Sequence, residues 1–499
     1  MRSPNSIYKT QFSPIRHSAA SLAFKPLIIA MIIMLVGTAI PVSASASEKG
    51  IHDALQFTQV ESGNYYSIAL RKDGSVWTWG RNLLGEIGIQ ETVTISETDG
   101  PVRLSLLSDI KHIATSGNGQ NLAVKSDGTV WTWGTAPRSD DNKIHSVLPQ
   151  QVAGIANAVT VASGSDFGVA LRQDGSVWSW QRELNKNDSN SVRKPAAVSG
   201  IANVVQIHVS NHQIYAVKRD GTVWSWNEPS LMFNSNTKTP TKPLLMKGLS
   251  NIRFVTSNEQ ALYVLDKKGK VRTLDAKGKP TAVQPKLTVK EVRAASSYTL
   301  FLTTAGDVYS YGRTVTGKQG KVNGLPKIKS ISAGTYHNQA ISERGEVWGW
   351  GGNHFNSVGA TAASPDGMIY LPIKANIAVD IMIDGQVINS IFAPRVSANT
   401  VQIPITTITR ALGAQFATNQ DPSGTLSYTI EYEGRSFTFR GGESIILVDD
   451  QAIELPESVS SLTGAVAAPY QLFEKGLGIS ITWDSQLQQL RMYTQVQVY

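Results

Sequence analysis

The chain has 499 residues, 41% of them hydrophobic and 17% charged, with a formal net charge of +8. That length accommodates several ordinary domains, or one repeat array beside a smaller unit. There is no cysteine, which excludes disulfides, thiolate nucleophiles and thiolate metal sites.

Arg2, Lys9, Arg16 and Lys25 lead into an uncharged apolar run over 26–42, and Ala44-Ser45-Ala46 follows. A basic flank, an apolar run and a small-residue cleavage site are the parts of an export signal. The other reading is an uncleaved single span, which needs about 17 apolar residues. The expectation is a signal peptide over 1–46 and a mature chain starting near Ser47, secreted or associated with a Gram-positive type of cell wall. Over 47–375 there are 36 Lys and Arg against 26 Asp and Glu, and over 376–499 there are 6 against 12. This asymmetry predicts two domains in different surroundings. The basic one suits an anionic wall polymer rather than nucleic acid.

One motif then recurs. Asp73-Gly74-Ser75-Val76-Trp77-Thr78-Trp79-Gly80 pairs an Asp-Gly turn with an alternating strand, and glycines 74, 128, 175, 221, 269, 306 and 345 mark seven copies. Ten of the eleven tryptophans lie in these copies. Asp-Gly before such a strand predicts a hairpin with a type I′ turn. Each copy also holds an earlier pair of β segments, such as Phe57-Thr58-Gln59-Val60-Glu61-Ser62 and Tyr66-Ser67-Ile68-Ala69-Leu70. A later Pro-containing segment, such as Leu148-Pro149-Gln150-Gln151-Val152, supplies a fourth. Four short strands in each of seven units predict a mainly β fold, a seven-bladed β-propeller over 51–375.

The order Gly63-Asn64-Tyr65-Tyr66-Ser67-Ile68-Ala69-Leu70, then Asp-Gly-x-Val-Trp-x-Trp-Gly, then Arg81-Asn82-Leu83-Leu84-Gly85-Glu86-Ile87-Gly88 resembles the regulator of chromosome condensation repeat. The resemblance covers all seven copies. It implies a propeller closed by pairing segments from its two ends, with Tyr370-Leu371-Pro372-Ile373 as the partner of the first blade. The family's histidine after the glycine stands here only as His337, replaced elsewhere by Tyr66, Gln120, Phe167, Gln213, Ala261 and Tyr298. The fifth copy has Arg272 and Leu274 in place of its aromatic pair.

After Ala375 the pattern changes. Val379-Asp380-Ile381-Met382-Ile383-Asp384-Gly385-Gln386-Val387 reads as two strands about a turn. Pro404 and Gly413 are matched by Pro469 and Gly478, each 65 residues on, an internal duplication. Ile405, Ile408 and Leu412 fall on one face of a short helix ending at glycine. Further strands are expected at 427–432 and 436–440, either side of Glu433-Gly434. The proline-to-Leu-Gly helix and the Trp483-Asp484 strand end resemble the copper amine oxidase N-terminal-like domain, a stalk rather than a catalytic unit. The expectation for 376–499 is a small α+β domain. It has no histidine, and no copper or other cofactor is expected.

Asp73, Asp127, Asp174 and Asp220 are read as turn residues, since each offers one carboxylate where calcium needs several converging oxygens. His208 and His212 have metal-like spacing, but the repeat places them on strand and loop. Asn64-Tyr65-Tyr66 resembles the quinone-forming pair of amine oxidases without its following acid, and is read as a blade loop. There is no nucleophile elbow or phosphate loop, and no acids or histidines are found converging on the propeller axis. The tryptophan pairs are read as blade packing. Candidate binding residues are Tyr65, Tyr66, Phe167, Tyr215, Tyr298 and Tyr336, aromatics recurring near blade loops, with core packing as their alternative. The function expected is a non-enzymatic, exported protein binding a protein or cell-wall partner through one propeller face. The alternatives are a structural wall component or a secreted enzyme inhibitor of the β-lactamase-inhibitor propeller type. Relatives implied by the resemblance act in nucleotide exchange on a small GTPase, in chromatin binding, or as secreted β-lactamase inhibitors.

Overall fold

The computed structural model describes residues 55–89, 96–117, 119–137, 144–181, 194–228, 242–258, 261–274, 280–284, 286–361, 364–462 and 465–494. The signal segment expected over 1–46 lies outside them. Seven four-stranded antiparallel sheets follow one another along the chain, over 57–103, 110–151, 158–197, 204–245, 252–283, 289–321 and 328–374. Each is one blade, built from consecutive strands. The second strand is buried almost throughout, as in Tyr66–Arg71 and His337–Ser342.

The repeated glycine explains how blades join. In blade 1, Gly74 N donates to Arg71 O at 3.0 Å and Arg71 N to Ser75 O at 3.0 Å. Gly74 has φ +84°, whereas Asp73 is not among the residues with positive φ. The hairpin is therefore a type I turn followed by a left-handed glycine, not the type I′ turn expected. Asp73 Oδ1 instead accepts from Ser75 N and Ser75 Oγ at 2.8 and 2.6 Å. This geometry turns the glycine carbonyl outward, to the next blade. Ile110 N donates to Gly74 O, Ala158 N to Gly128 O, Val204 N to Gly175 O, Ile252 N to Gly221 O and Ile328 N to Gly306 O, each at 3.0 Å, and Val289 N to Gly269 O at 2.8 Å. Phe57 N to Gly345 O, at 3.0 Å, closes the ring.

Closure differs from expectation. Met368–Lys374, which holds Tyr370 to Ile373, pairs with Val347–Gly352 and completes blade 7 rather than blade 1. Blade 1 has its own outer strand, Glu97–Arg103, so no strand is left for the other end of the chain to supply. The ring closes by contacts of the kind found at every other junction. The second tryptophan of each pair, Trp79, Trp133, Trp180, Trp226 and Trp350, is buried. The first lies nearer the surface in blades 2 to 4, under Lys125, Arg172 and Lys218, each about 5.4 Å from its ring.

The described residues after 374 form three further sheets and two helices. Strands Val401–Pro404 and Ala465–Pro469, the duplicated segments, pair antiparallel with Ile403 opposite Ala468. Each leads into a helix, α1 (Ile405–Leu412) and α2 (Gln471–Leu477), capped by left-handed Gly413 and Gly478. Ile405, Ile408, Leu472 and Phe473 enter a core shared with a five-stranded antiparallel sheet. Here Asp384-Gly385 and Glu433-Gly434 have positive φ at both residues, as a type I′ turn requires. This region packs on blade 1. Arg71, sandwiched against Trp77 and Phe57 at 4.4 and 5.1 Å, donates to Ala378 O at 3.0 Å and Gln488 Oε1 at 2.8 Å. Arg103 pairs with Asp380 at 2.9 Å.

A Cβ at Gly128 would lie 2.7 Å from the Asn157 backbone, whereas at Gly200, with φ +84°, it would meet nothing within 4 Å. Gly128→Ala is expected to lower unfolding free energy by about 2–4 kcal/mol, and Gly200→Ala by about 1 kcal/mol. Guanidinium unfolding of both variants checks this. Equal losses would mean that strain alone, and not blade contact, fixes the glycine.

Candidate functional site

The six candidate aromatics fall into three settings. Tyr66, Phe167 and Tyr298 are buried, which corrects their placement in exposed loops. Each begins a second strand and reaches the second strand of the next blade. Tyr66 Oη donates to Asn121 Oδ1 at 2.9 Å, and Tyr298 Oη to Asn338 Oδ1 at 2.6 Å. Phe167 meets Ile214 in an apolar cluster at the same point. Burial pushes the Tyr66 and Tyr298 phenols well above the ordinary range. His337 occupies the same position in blade 7, with Nε2 2.8 Å from Ser67 Oγ of blade 1. Tyr215 lies within a second strand, half-buried and stacked over His208 at 6.3 Å.

Tyr65 and Tyr336 do come together. Both lie between first and second strands, in blades 1 and 7, and their rings stack at 4.3 Å with 11° between planes. Phe355, after the third strand of blade 7, meets Tyr65 edge-on at 5.3 Å. Arg81 lies 5.2 Å over the Tyr65 ring and pairs with buried Glu86 at 2.7 Å. Thr335 Oγ1 donates to Asn64 Oδ1 at 2.7 Å and ties the two loops. Tyr336 is 42% exposed and nearby in sequence to Arg81, Leu83 is 56% exposed. Phe355 was not singled out by sequence; its alignment with Leu84 in the loop after the third strand was the available signal.

The axis holds a cluster that sequence reading missed. A cavity of about 460 Å³ is lined by the first strands, including Glu61, His112, His208 and Arg293. Their neighbours explain most of this polarity. Gln59 brackets the next blade's backbone, donating to Ile113 O at 2.7 Å and accepting from Ile113 N at 3.0 Å. Gln206 does the same to Val255, at 3.2 Å twice. His112 Nδ1 accepts from Val161 N at 3.4 Å, and His208 Nε2 from Ser257 N at 2.9 Å. Glu291 accepts from Ile331 N at 3.4 Å, while Arg293 donates to Ile331 O at 3.2 Å. Thr256 and Ser332 accept from Ala294 N and Ser62 N. These groups satisfy first-strand backbone that has no sheet partner on the axis side.

Burial, with Arg293 nearby, lowers His112 and His208 to about 4, consistent with both accepting backbone N–H groups. Burial raises the Glu61 carboxyl, opposed by Arg293. His208 and His212 form no common site: one staples blades 4 and 5, and the other lies beyond the strand end, 6.3 Å from Phe167. Among the described residues no group of three His, Cys, Asp or Glu side chains is placed to hold a metal. The last region offers carboxylates but neither imidazole nor thiolate, a donor set that does not fit copper.

Comparison with known proteins agrees with this architecture. Profiles of the regulator of chromosome condensation (RCC1) repeat match residues 57–86, 73–124 and 328–357. The copper amine oxidase N-terminal domain profile matches residues 382–492. The chain thus carries such repeats and such a domain. Human regulator of chromosome condensation is 30% identical over 116 residues, 22% of this chain and 27% of that protein. The guanine nucleotide exchange factor SRM1 of Saccharomyces cerevisiae is 24% identical over 177 residues, covering 27% and 37%. The chain spans well under half the length of these curated relatives. The crystal structure of human WBSCR16 is similar at a TM-score of 0.49 and 15% identity, covering 61% of this chain and 95% of that one.

The two axial histidines set an acid limit on stability. A base whose folded pKa lies near 4 rather than at the ordinary 6.5 binds its proton more readily when unfolded. Stability is therefore full above about pH 6.5 and falls as pH drops towards 4, by up to about 3 kcal/mol per histidine. His112→Gln, which copies the Gln59 staple, should keep the stability at pH 7 and flatten this fall. Unfolding midpoints at pH 7, 5.5 and 4.5 check it, and an unchanged slope would contradict it.

Proposed function

We propose that this chain is an exported, non-catalytic binding protein of a bacterial cell surface, and that the loop face at the junction of blades 7 and 1 engages a partner protein. The observation that carries this reading is the Tyr65–Tyr336 stack with Phe355 against it. Aromatic side chains with few rotatable bonds are effective interface anchors, because ordering them on binding loses little entropy. The equivalent loop positions in other blades hold Gly119, Asp166, His212 and Ser297, without a phenol or phenyl ring. Tyr336, 42% exposed, presents the open edge of this cluster, with Tyr65 and Phe355 half-buried behind it. The propeller supplies a rigid base, which limits the entropy lost on association.

The axial polar groups support a non-catalytic reading as well. Most are engaged with backbone of the neighbouring blade, and a general acid or base needs a group presented to substrate. The export signal read from 1–46 supplies the expected location, and the last domain, docked on blade 1 through Arg71 and Arg103, supplies a stalk.

Tyr65→Ala/Tyr336→Ala is expected to weaken saturable capture of an extracellular protein partner by the full chain at least about tenfold, as loss of a paired aromatic anchor does. Its unfolding midpoint should fall only modestly, since Tyr336 is exposed and Tyr65 half-buried. Capture from culture supernatant, followed by titration of the captured protein, reads the effect. Undiminished capture by the double variant would remove this face from the account.

A further inference from the structure

The propeller's surplus positive charge is confined to two blades. Residues 252–327 carry 14 Lys and Arg against 5 Asp and Glu, while the rest of 47–375 carries 22 against 21. Six of the described cations, Arg253, Lys267, Lys268, Lys270, Lys286 and Lys290, lie towards the hairpin-turn face, opposite the aromatic loops. At the turn position where blades 1 to 4 hold Asp73, Asp127, Asp174 and Asp220, blade 5 has Lys268. Lys267, Lys268 and Lys270 are exposed there, and so is Lys286 on the following connection. Arg253 and Lys290, also exposed, take the same position in the first strands of blades 5 and 6. Arg253 Nη2 donates to Lys290 O at 2.7 Å, and Lys290 Nζ to Lys329 O at 2.8 Å. The cations thus step from blade to blade around the channel mouth.

The acids on this face are already committed. Asp266 Oδ1 accepts the backbone N–H groups of Lys268 and Lys270, both at 2.9 Å. Asp307 lies between Lys321 and Lys327, at 3.2 and 3.1 Å. No large hydrophobic side chain of 252–329 is exposed among the described residues. The face therefore has neither the aromatic platforms on which unpaired bases stack nor the apolar wedge that seats a protein on a bilayer. Lysine ammonium groups act as point charges, tolerant of spacing, without the bidentate fork of arginine.

We infer that the turn face of blades 5 and 6 binds a linear polymer of phosphodiester-linked polyols, the anionic chemistry of a glycerol phosphate chain. Recognition runs along the charged backbone alone, and a chain of such polymer lies across the arc from Arg253 to Lys286. This surface is independent of the protein-binding face proposed above, so either can fail alone.

The test measures binding of the full chain to poly(glycerol phosphate) across a range of salt concentrations. Duplex DNA and vesicles of anionic phosphatidylglycerol, at matched phosphate, are the competing probes. The patch variant is Lys267→Glu/Lys268→Glu/Lys286→Glu. Its control, Lys72→Glu/Lys194→Glu/Lys242→Glu, makes the same change in net charge at exposed sites of blades 1, 3 and 4. The expected result is log affinity falling linearly with log salt. The patch variant should bind at least about tenfold more weakly, with a salt slope reduced by about 2 to 3. The control should stay within about twofold of the parent. Equal losses in both variants would reduce the effect to net charge and overturn the site. Tighter binding to DNA or to vesicles, or no binding to the polymer, would overturn the choice of partner.

Discussion

The structure depends on one backbone hydrogen bond made seven times. Each hairpin glycine turns its carbonyl to the first N–H of the next blade, and the seventh bond, from Phe57 to Gly345, is the same as the other six. A blade alone buries too little apolar surface to stand by itself, so stability is shared between neighbours. A left-handed residue is needed to aim that carbonyl, and a side chain there would strike the backbone it serves. Gly128, whose added Cβ would lie 2.7 Å from Asn157, shows both demands at one position.

Around this ring the second-strand residues form a second tier. Tyr66 with Asn121, Tyr298 with Asn338 and His337 with Ser67 pair polar groups across junctions, while Phe167 meets Ile214. The buried tyrosine hydroxyls find acceptors, and the Phe167 ring an apolar cluster, as the cost of burying an unpaired polar group favours. The third tier is axial. Gln59, His112, Gln206, His208 and the Glu291–Arg293 pair meet backbone that would otherwise face the channel unpaired. Polarity at the axis is thus largely structural.

The architecture was legible because its strongest determinants are local. Gly74 and its six equivalents, the Trp-x-Trp strands and the glycine-capped helices at Gly413 and Gly478 all stand where sequence placed them. The errors arose where chain neighbours do not decide. Asp73-Gly74 and Asp384-Gly385 look alike in sequence, yet only the second adopts a type I′ turn, because the first must present its carbonyl to another blade. Tyr66, Phe167 and Tyr298 follow loop-forming glycines but are drawn inward by the next blade. Closure by Met368–Lys374 was misplaced because pairing with blade 7 or blade 1 leaves the same local signature. The axial cluster was legible only by aligning alternate positions of first strands, where Gln59 and Gln206 coincide.

The central claim is that the ring closes as it propagates, without an exchanged strand. Amide hydrogen exchange of the full chain tests it directly, by comparing Phe57 with Ile110, Ala158, Val204, Ile252, Val289 and Ile328. A closed ring predicts protection of Phe57 comparable to the other six, since one cooperative unit opens together. Rapid exchange at Phe57, with the other six protected, would show an open ring and contradict the account.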